Sequence, residues 1–172
     1  MRYRKKAMTL EGKNITLRPL NAQDAETLLS ICHEPGIARY NSYWAEGQTA
    51  ADYEKLIAET PNAYAIELTS KNLLMGVVGY AEHPDLNETA IYFFLADAYK
   101  GCGYTKEAVT MLSDWCLSEG GFKVLVAIAP ESHQSEGRLA EKCGFTLYEK
   151  RVTIGYRLSG LNEDVYYYYR KF

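Results

Sequence analysis

One segment constrains the fold of this chain more than any other. The run Thr89–Leu95 is nearly all apolar, Gly101 and Gly103 follow it, and a long helix is expected from about Thr105 to Glu119. A nearly continuous apolar run predicts a central strand that is buried on both faces. Glycine lets the chain turn tightly and leaves its backbone open to close approach. The segment therefore predicts a strand, an open turn and a helix in succession.

The rest of the chain supplies strands and helices around this unit. Pro35-Gly36 is expected to stop the first helix, and the apolar run after Gly120-Gly121 predicts a strand parallel to Thr89–Leu95. The predicted order is β-α-α-β-β-β-α-β-α-β-β, an α/β chain (α+β mixed sheet) with helices on both faces. The remaining strands are expected at about Ile15–Arg18, Ala63–Thr69, Leu74–Glu82, Val124–Ile128, Thr146–Tyr156 and Asp164–Lys171, and the remaining helices at about Ala25–His33, Ala51–Glu59 and Gln134–Cys143.

Length and charge limit the class of protein. A chain of 172 residues is near the usual size of one domain, so a single domain over residues 1–172 is expected. The formal net charge is −3, and the Lys and Arg residues are scattered. A nucleic-acid binder usually clusters its basic residues on one face, so nucleic acid is not expected as a partner. The charge mildly favours a cationic partner such as an amine.

Targeting and metal-binding signals are also missing from the sequence. No stretch approaches the ~18 apolar residues that span a bilayer, and Met1–Lys6 is basic without the apolar run of a signal peptide. A cytoplasmic protein without membrane attachment is the expectation. The four cysteines match no metal pattern and are expected to be reduced and mostly buried, and no metal cofactor is predicted (Cys32, Cys102, Cys116, Cys143).

The glycine turn has a chemical consequence if the helix begins beside it. Amides in the first turn of a helix, together with the helix dipole, favour an anion and particularly a phosphate. Lys100 and Lys106 flank this point and could add charge-assisted contacts. A P-loop is excluded because Lys and Ser or Thr do not follow Gly103, and a dinucleotide fingerprint would need a glycine at Lys106. A plain structural turn remains the alternative.

Three segments in register resemble the GNAT (Gcn5-related N-acetyltransferase) superfamily, and its ribosomal-protein-acetyltransferase-like branch in particular. Phe93–Ala108 resembles the acetyl-CoA motif, with an aromatic strand, G-x-G-Y and a Glu-Ala pair. Arg138–Phe145 resembles the second signature, which ends in E-K-x-G-F, and Ile15–Leu20 resembles the first strand. The resemblance covers roughly residues 14–171 and implies the GNAT-like acyl-CoA N-acyltransferase fold.

The resemblance also implies where acetyl-CoA binds as a co-substrate. Pantetheine would pair with the main chain of Phe93, Phe94 and Leu95, in a splay between this strand and the one that starts at Lys123. An amide near Phe94 or Leu95 would face the thioester oxygen and stabilise the oxyanion. The diphosphate would bind the amides from Lys100 to Thr105, and Arg138 is a further candidate contact. The implied cofactor-binding set is Phe93, Phe94, Leu95, Lys100, Gly101, Cys102, Gly103, Tyr104, Thr105, His133 and Arg138.

The chain departs from this branch where proton transfer is expected. His133 stands where the branch usually has Asn, and Glu136 where it has Ser. A Tyr that other branches use four residues later is Ala140 here, so the general acid is unassigned. Ser135 could substitute, and Tyr148 and Tyr156 are hydroxyl candidates without positional support.

Candidate bases are carboxylates near the central strands and one imidazole. Glu82 and Glu88 flank the turn before Thr89–Leu95, and Glu67 lies on an earlier strand. Each carboxylate is expected more often as a solvated charge at a strand end. His133 has a suitable ordinary pKa but could equally replace Asn in a hydrogen bond. The catalytic candidates are therefore Glu88, Glu82, Ser135 and His133.

Two aromatic segments are candidates to line the part of the site that would bind the acceptor amine. Tyr40–Trp44 could cover an amine through cation–π contact or could simply pack under a loop. Tyr166–Tyr169 alternates across a strand, so half of its rings face the core and the others could line a channel or a homodimer surface. An N-acetyltransferase acting on a primary amine, of a peptide N-terminus or a small molecule, is the leading hypothesis. A CoA-binding module without transferase activity and an interaction protein that keeps only the fold are the alternatives.

Overall fold

The computed structural model describes residues 8–83, 87–153 and 163–172, with the backbone alone at 151–153 and 163. The strands in this part of the chain are β1 (Leu10–Glu11), β2 (Ile15–Pro19), β3 (Ala63–Leu68), β4 (Leu73–His83), β5 (Glu88–Leu95), β6 (Val124–Pro130), β7 (Thr146–Thr153) and β8 (Glu163–Lys171). The α-helices are α1 (Ala25–Cys32), α2 (Pro35–Ala38), α3 (Ser42–Ala45), α4 (Ala50–Glu59), α5 (Tyr104–Ser118) and α6 (Gln134–Lys142). Short 3-10 turns precede α1, α5 and α6 at Ala22–Asp24, Asp97–Tyr99 and Glu131–His133.

The strands form a mixed sheet in the order β1-β2-β3-β4-β5-β6-β8-β7. The first strands run antiparallel to their neighbours, with Leu17 of β2 opposite Ile66 of β3. β5 and β6 are parallel, with Thr89 opposite Leu125. β8 lies antiparallel between β6 and β7. The predicted mixed sheet and the parallel crossover around Gly101 are confirmed.

The predicted element order is confirmed, with differences at short elements. β1 and α3 were not predicted. The first helix ends before Pro35-Gly36 as predicted, at Cys32, but Pro35 also begins the short helix α2, which was not predicted. Proline favours the first position of a helix, where its missing N–H has no partner to lose. Several expectations fall on residues outside the described ranges: the start Met1–Lys6, the turn at Pro84–Leu86 and the strand end at Tyr156.

Two helix starts follow directly from their sequences. The Asn21 side chain accepts from Gln23 N at 2.9 Å, and Asp24 accepts from Asn21 N at the same distance, 2.9 Å. Thr49 and Asp52 form the same reciprocal arrangement before α4. Each capping side chain is worth about 1 kcal/mol. Local chemistry therefore fixes where the 3-10 turn that leads into α1 begins and where α4 begins.

The described chain forms two compact units, and the first runs up to Gly79 and resumes over Phe93–Ala108. Its core contains fully buried side chains from β2, β3, β4, α1 and α4 (Ile15, Leu17, Leu28, Tyr53, Tyr64, Ile66, Met75, Val77). Arg18 donates to Asp24 at 2.9 Å and to Glu67 at 2.6 Å, and these bonds raise its pKa. Arg18 thereby ties β2 to β3 and to the start of α1.

The second unit comprises Tyr80–Tyr92 and Val109–Phe172. Val126 of β6 packs with Val165 and Tyr167 of β8 in its core. Gly137 lets α6 lie against the sheet, because a Cβ there would overlap the Tyr168 hydroxyl. That a single domain spans the chain remains a prediction. No helix in the described ranges is both long and apolar enough to cross a membrane.

Candidate active site

β4 and β5 meet at Gly76 without room for a side chain. A Cβ on Gly76 would overlap the Phe94 carbonyl oxygen and lie 2.9 Å from Leu95 Cα. One residue before Gly76, the Met75 carbonyl accepts from Ala96 N at 2.9 Å. The Phe94 carbonyl and the Ala96 amide therefore both face β4. An isolated glycine inside a strand often marks such a close backbone approach.

This contact fixes the direction of the Leu95 main chain. The peptide bonds here are trans, so the C=O and N–H of one peptide unit point in opposite directions. Because the Phe94 carbonyl faces β4, the Leu95 amide points away from β4. Because the Ala96 amide faces β4, the Leu95 carbonyl also points away. Leu95 thus presents one donor and one acceptor on the side of β5 that is turned away from β4.

The turn between β5 and α5 is open at both glycines. Gly101 and Gly103 each have a φ of 81°, in the left-handed region that favours glycine, and a Cβ on either would meet nothing within 4 Å. Glu107 N donates to Gly103 O at 3.1 Å, which is the regular helical bond. The amides of Tyr104 and Thr105 lie in the first turn, for which a helix supplies no acceptor. This geometry suits an anion at the start of α5.

The predicted roles of two residues in this turn need correction. Lys100 N donates to Asp97 O at 3.3 Å, so this amide already closes the 3-10 turn. Lys100 Nζ lies 2.5 Å from Asp97 Oδ1, so its charge is paired within the turn. Cys102 is exposed, whereas the other three cysteines are buried as expected. Burial raises the pKa of Cys32 and of Cys116 to about 12.

Two side chains from distant parts of the sequence hold this turn in place. Glu34 Oε2 accepts from Asp97 N at 2.9 Å, which supplies an acceptor for the start of the 3-10 turn. Asn14 donates from its backbone N to Glu107 Oε1 at 2.8 Å and from Nδ2 to Oε2 at 3.1 Å. Glu107 lies in the first turn of α5, so these bonds connect the helix start to the β1–β2 turn. Sequence reasoning noted Glu107 only as part of the Glu-Ala pair of the motif, and it did not single out Glu34 or Asn14.

The carboxylate candidates are mostly exposed or already paired. Glu82, near the end of β4, and Glu88, the first residue of β5, are both exposed. Glu67 accepts a hydrogen bond from Arg18 and belongs to the ion pairs that tie β2 to β3. The expectation of solvated charges at strand ends is confirmed for Glu82 and Glu88.

The start of α6 brings together the two residues that depart from the family pattern. His133 Nδ1 is buried and lies 3.2 Å from Glu136 Oε1, with 36% of the His133 side chain and 20% of the Glu136 side chain exposed. Ser135 between them is exposed. Arg138, also exposed, lines a groove of about 220 Å³ together with Tyr166 and Tyr168. The sequence reasoning named His133 but treated Glu136 only as a departure.

The remaining hydroxyl candidates lie in different surroundings. Tyr148 is 68% exposed and packs edge-on to Tyr169, and Tyr156 lies outside the described residues. In the tyrosine run of β8, Tyr167 faces the core as predicted. Tyr168 is only 8% exposed, because α6 covers the opposite face at Gly137. That ring therefore lines the groove beside α6 but is too buried for a homodimer surface.

The segment Tyr40–Trp44, which could cover an acceptor amine, contains both a packed and an exposed aromatic residue. Trp44 is 3% exposed and packs edge-on to Phe94, with ring centroids 5.6 Å apart. The Trp44 carbonyl accepts from the Tyr53 hydroxyl at 2.6 Å. Tyr43 keeps 46% of its surface exposed. Packing is the better interpretation for Trp44, while Tyr43 remains able to contact a ligand.

The fold and the open turn at the start of α5 agree with comparison to known families. The model of the acetyltransferase (GNAT) domain matches residues 14–146. The chain therefore belongs to the GNAT acetyltransferase family, and it is an N-acetyltransferase that uses acetyl-CoA.

Several known proteins are similar to this chain. A probable N-acetyltransferase of Bacillus subtilis strain 168, YjcK, is 29% identical over 149 residues, which cover 79% of this chain and 82% of that protein. The structure of RimL, a ribosomal L7/L12 α-N-protein acetyltransferase in complex with coenzyme A, has a TM-score of 0.82 at 17% identity and covers 95% of this chain and 98% of its own. The microcin C7 self-immunity acetyltransferase MccE, in complex with acetyl-CoA and AMP, has a TM-score of 0.80 at 20% identity and covers 94% of each chain. At these identities the two structures show a shared fold.

Proposed function

We propose that this protein transfers an acetyl group from acetyl-CoA to a primary amine by direct attack of the amine on the thioester. The preferred acceptor is an α-amine, on a peptide N-terminus or a small molecule. The observation that carries this proposal is the open turn before α5, where Gly101 and Gly103 leave the backbone free to approach an anion.

The donor's diphosphate would bind the amides from Gly101 to Thr105. Backbone N–H groups at a helix start combine hydrogen bonding with the positive end of the helix dipole. Lys100 is left out of the amide set because its N–H is engaged with Asp97 O. Substituting either glycine would place atoms in the space that the phosphates need.

The sequence left two backbone amides, those near Phe94 and Leu95, as candidate donors to the oxyanion. The Leu95 amide is the better candidate. Its N–H points away from β4, whereas the Phe94 carbonyl is turned toward Gly76. When the amine attacks, the carbonyl oxygen of the thioester gains negative charge, and a preorganised backbone donor stabilises it. The main chain of Phe93 and Leu95 would also pair with pantetheine, whereas the Phe94 carbonyl is turned toward β4.

The acceptor preference follows from the cost of obtaining a neutral amine. A lysine-like amine with a pKa of about 10.4 is neutral roughly once in 2,500 molecules at pH 7, at a cost of about 4.6 kcal/mol. An α-amine with a pKa of about 8 costs only about 1.4 kcal/mol. Glu82 and Glu88 are exposed, so they are poorly suited to act as a base that offsets the extra free energy of deprotonating a lysine-like amine. Orientation can supply about 7–11 kcal/mol, which is enough for an α-amine without a strong base.

Two relatives support this choice without deciding it. RimL is described as an α-N-protein acetyltransferase, and its structure contains coenzyme A. MccE, by contrast, was crystallised with a small molecule, AMP, as well as acetyl-CoA. Both acceptor classes therefore belong in one assay.

Two measurements test the proposal in sequence. Acetyl-CoA at 100 times its Kd should add about 2.7 kcal/mol of stability, which for a chain of this size raises Tm by roughly 5–10 °C. Thiol release should then be measured with N-terminal peptides, the matching N-acetylated peptides, polyamines and aminoglycosides. Faster release with free α-amines supports the proposal. A Tm that does not change at millimolar acetyl-CoA contradicts it, and binding without thiol release would favour a CoA-binding module.

A further inference from the structure

We propose that Glu34 is a positioning residue for acetyl transfer, because its carboxylate holds the main chain that carries the Leu95 amide. This inference rests on the proposed function, in which the Leu95 amide is the donor to the oxyanion. It deepens that function by naming the side chain that keeps this donor in place. Every residue in the argument belongs to the first compact unit, which contains both Glu34 and the stretch Phe93–Ala108.

The backbone at the end of β5 is held by β4 and then by one side chain. The peptide units on either side of Leu95 contact β4, through Gly76 and through the Met75 carbonyl. The next peptide unit is held by a carboxylate instead, since Asp97 N donates to Glu34 Oε2 at 2.9 Å. The first amides of a helical turn have no acceptor within the turn, so the half-buried Glu34 supplies one.

The same residue also begins the helix α2. The Glu34 carbonyl accepts from Ile37 N at 3.0 Å and from Ala38 N at 2.9 Å. A Cβ on Gly36 would lie 3.8 Å from Lys100 Nζ, so the start of α2 lies beside the turn that precedes α5. Glu34 therefore joins two elements, because its main chain caps α2 and its side chain caps the 3-10 turn.

Hydrogen-bonded turns continue from α2 into α3. The Asn41 amide donates to the Ile37 carbonyl at 3.0 Å, and Asn41 Nδ2 donates to the same oxygen at 3.1 Å. The Asn41 carbonyl accepts from Ala45 N at 3.1 Å, which closes the turn of α3. The segment from Glu34 to α3 is therefore a series of closed turns.

The far end of this segment also contacts β5. Trp44 of α3 is buried and packs edge-on to Phe94, with ring centroids 5.6 Å apart. Phe94 immediately precedes Leu95, and Asp97 follows Leu95 after one further residue. The segment Glu34–Trp44 thus holds β5 on both sides of the residue that carries the proposed oxyanion donor.

Removing the Glu34 carboxylate would release one of these two attachments. The Asp97 amide would lose its acceptor, and a small rotation of the turn would change the direction of the Leu95 N–H. A preorganised donor acts only when it points at the position where charge develops, so turnover should fall more than donor binding. The diphosphate amides should remain in place, because Asn14 and Glu107 anchor the start of α5 separately.

Hydrogen exchange in the unliganded protein tests the contact itself. E34A removes the acceptor, so the Asp97 amide should exchange roughly tenfold faster or more. E34Q keeps an oxygen acceptor on a side chain of the same length and should retain most of the protection. Asn21→Ala removes a cap before α1 in the same unit and should leave the Asp97 amide unchanged. Equal exchange of that amide in wild type and E34A would overturn the assignment of Glu34.

Infrared spectroscopy of bound acetyl-CoA, labelled with carbon-13 at the thioester carbonyl, measures the donor directly. A hydrogen bond to that oxygen weakens the C=O bond, so wild type and Asn21→Ala should lower its stretching frequency equally. At saturating acetyl-CoA, E34A should lose most of this shift and E34Q should keep most of it. A residue that only stabilised the fold would not alter the carbonyl of a ligand bound to folded protein. A full shift in E34A would overturn the positioning role, and no shift in wild type would overturn the Leu95 donor together with it.

Kinetics with an amine identified in the acceptor panel separate positioning from binding. In E34A kcat should fall about 10-fold to 100-fold, while the Kd for acetyl-CoA stays within about threefold of wild type. E34Q should restore kcat to within about threefold, because its side-chain oxygen accepts the same bond. A wild-type kcat in E34A would overturn the inference. A protein that shifts the carbonyl but acetylates no amine would refute the proposed function instead, and the infrared comparison would still decide the role of Glu34.

Discussion

Two connections in this protein have the same plan and present different chemistry. β5 and β6 each end in a 3-10 turn, and each turn leads into a helix, α5 or α6. In the first connection Gly101 and Gly103 adopt left-handed conformations and leave the main chain open. In the second, His133 stands immediately before the helix and pairs with Glu136. The first presents backbone amides, and the second presents side chains.

The difference teaches where a family can vary its chemistry. A site made of amides survives most substitutions except those that fill its space or change its backbone conformation. A site made of side chains changes with each substitution. This explains why the turn at Gly101–Gly103 retains a recognisable motif, whereas the start of α6 departs from the branch at two positions. The following variants test this contrast.

Filling the amide site should have the largest effect. Gly103→Val places a branched side chain in the open space above the turn and at a φ of 81°. Losing one or two hydrogen bonds to a charged ligand, at about 1.5–3 kcal/mol each, should weaken CoA binding by roughly 100-fold or more in calorimetry. Gly121→Val is the matched control, because Gly121 has a φ of 77° and lies beyond the end of α5. Equal affinity in wild type and Gly103→Val would remove the diphosphate assignment.

Crowding the strand contact behind Leu95 should destabilise the protein itself. Gly76→Ala overlaps the Phe94 carbonyl, so β4 and β5 must move apart locally. Overpacking of this kind costs typically 1–3 kcal/mol, which urea unfolding can measure. Gly36→Ala is the control, since its Cβ would meet only Lys100 Nζ at 3.8 Å. Unchanged stability in Gly76→Ala would show that the close approach, and with it the direction of the Leu95 amide, is wrong.

Loosening the anchor of α5 should have a smaller effect on the same site. Asn14→Ala removes the bond from Nδ2 to Glu107 without changing the charge near the diphosphate turn. A net hydrogen bond of about 1 kcal/mol corresponds to a roughly threefold to fivefold weaker CoA affinity if the helix start shifts. Asn62→Ala, at a half-buried asparagine, should bind CoA as the wild type does. A CoA affinity in Asn14→Ala equal to that of the control would mean that the anchor does not position the amides.

Thiol labelling gives the smallest effect and reports on the turn without a mutation. Cys102 is exposed, whereas burial raises the pKa of Cys32 and Cys116 to about 12. At pH 8 a thiol with that pKa is ionised in only about one molecule in 10,000, and the thiolate is the reactive form. One thiol per chain should react rapidly at pH 8, and CoA should slow it severalfold. Rapid reaction of a second thiol would contradict the burial of the other three.

Much of the fold and part of the site could be predicted because their causes are local. Caps at Asn21 and Thr49, apolar runs in the strands and glycines at helix ends act over a few residues. The limits predicted for these elements fall within one or two residues of the observed ones, apart from the strand end at Tyr156, which lies outside the described residues. The short helices α2 and α3 were missed because a single turn carries too little periodicity to recognise. The ion pair of Lys100 with Asp97 was not predicted, because both residues flank the turn and sequence alone does not rank the possible contacts of Lys100.

The amino-acid sequence by itself determined the element order, the parallel crossover and the open glycine turn, since backbone conformation there depends on residues close along the chain. Only the tertiary structure decided which amide of β5 points away from β4, which side chains anchor the start of α5, and that His133 and Glu136 touch. Glu34 lies 63 residues from Asp97, and Asn14 lies 93 residues from Glu107. Contacts at such separations arise when the chain packs, and no local pattern specifies them.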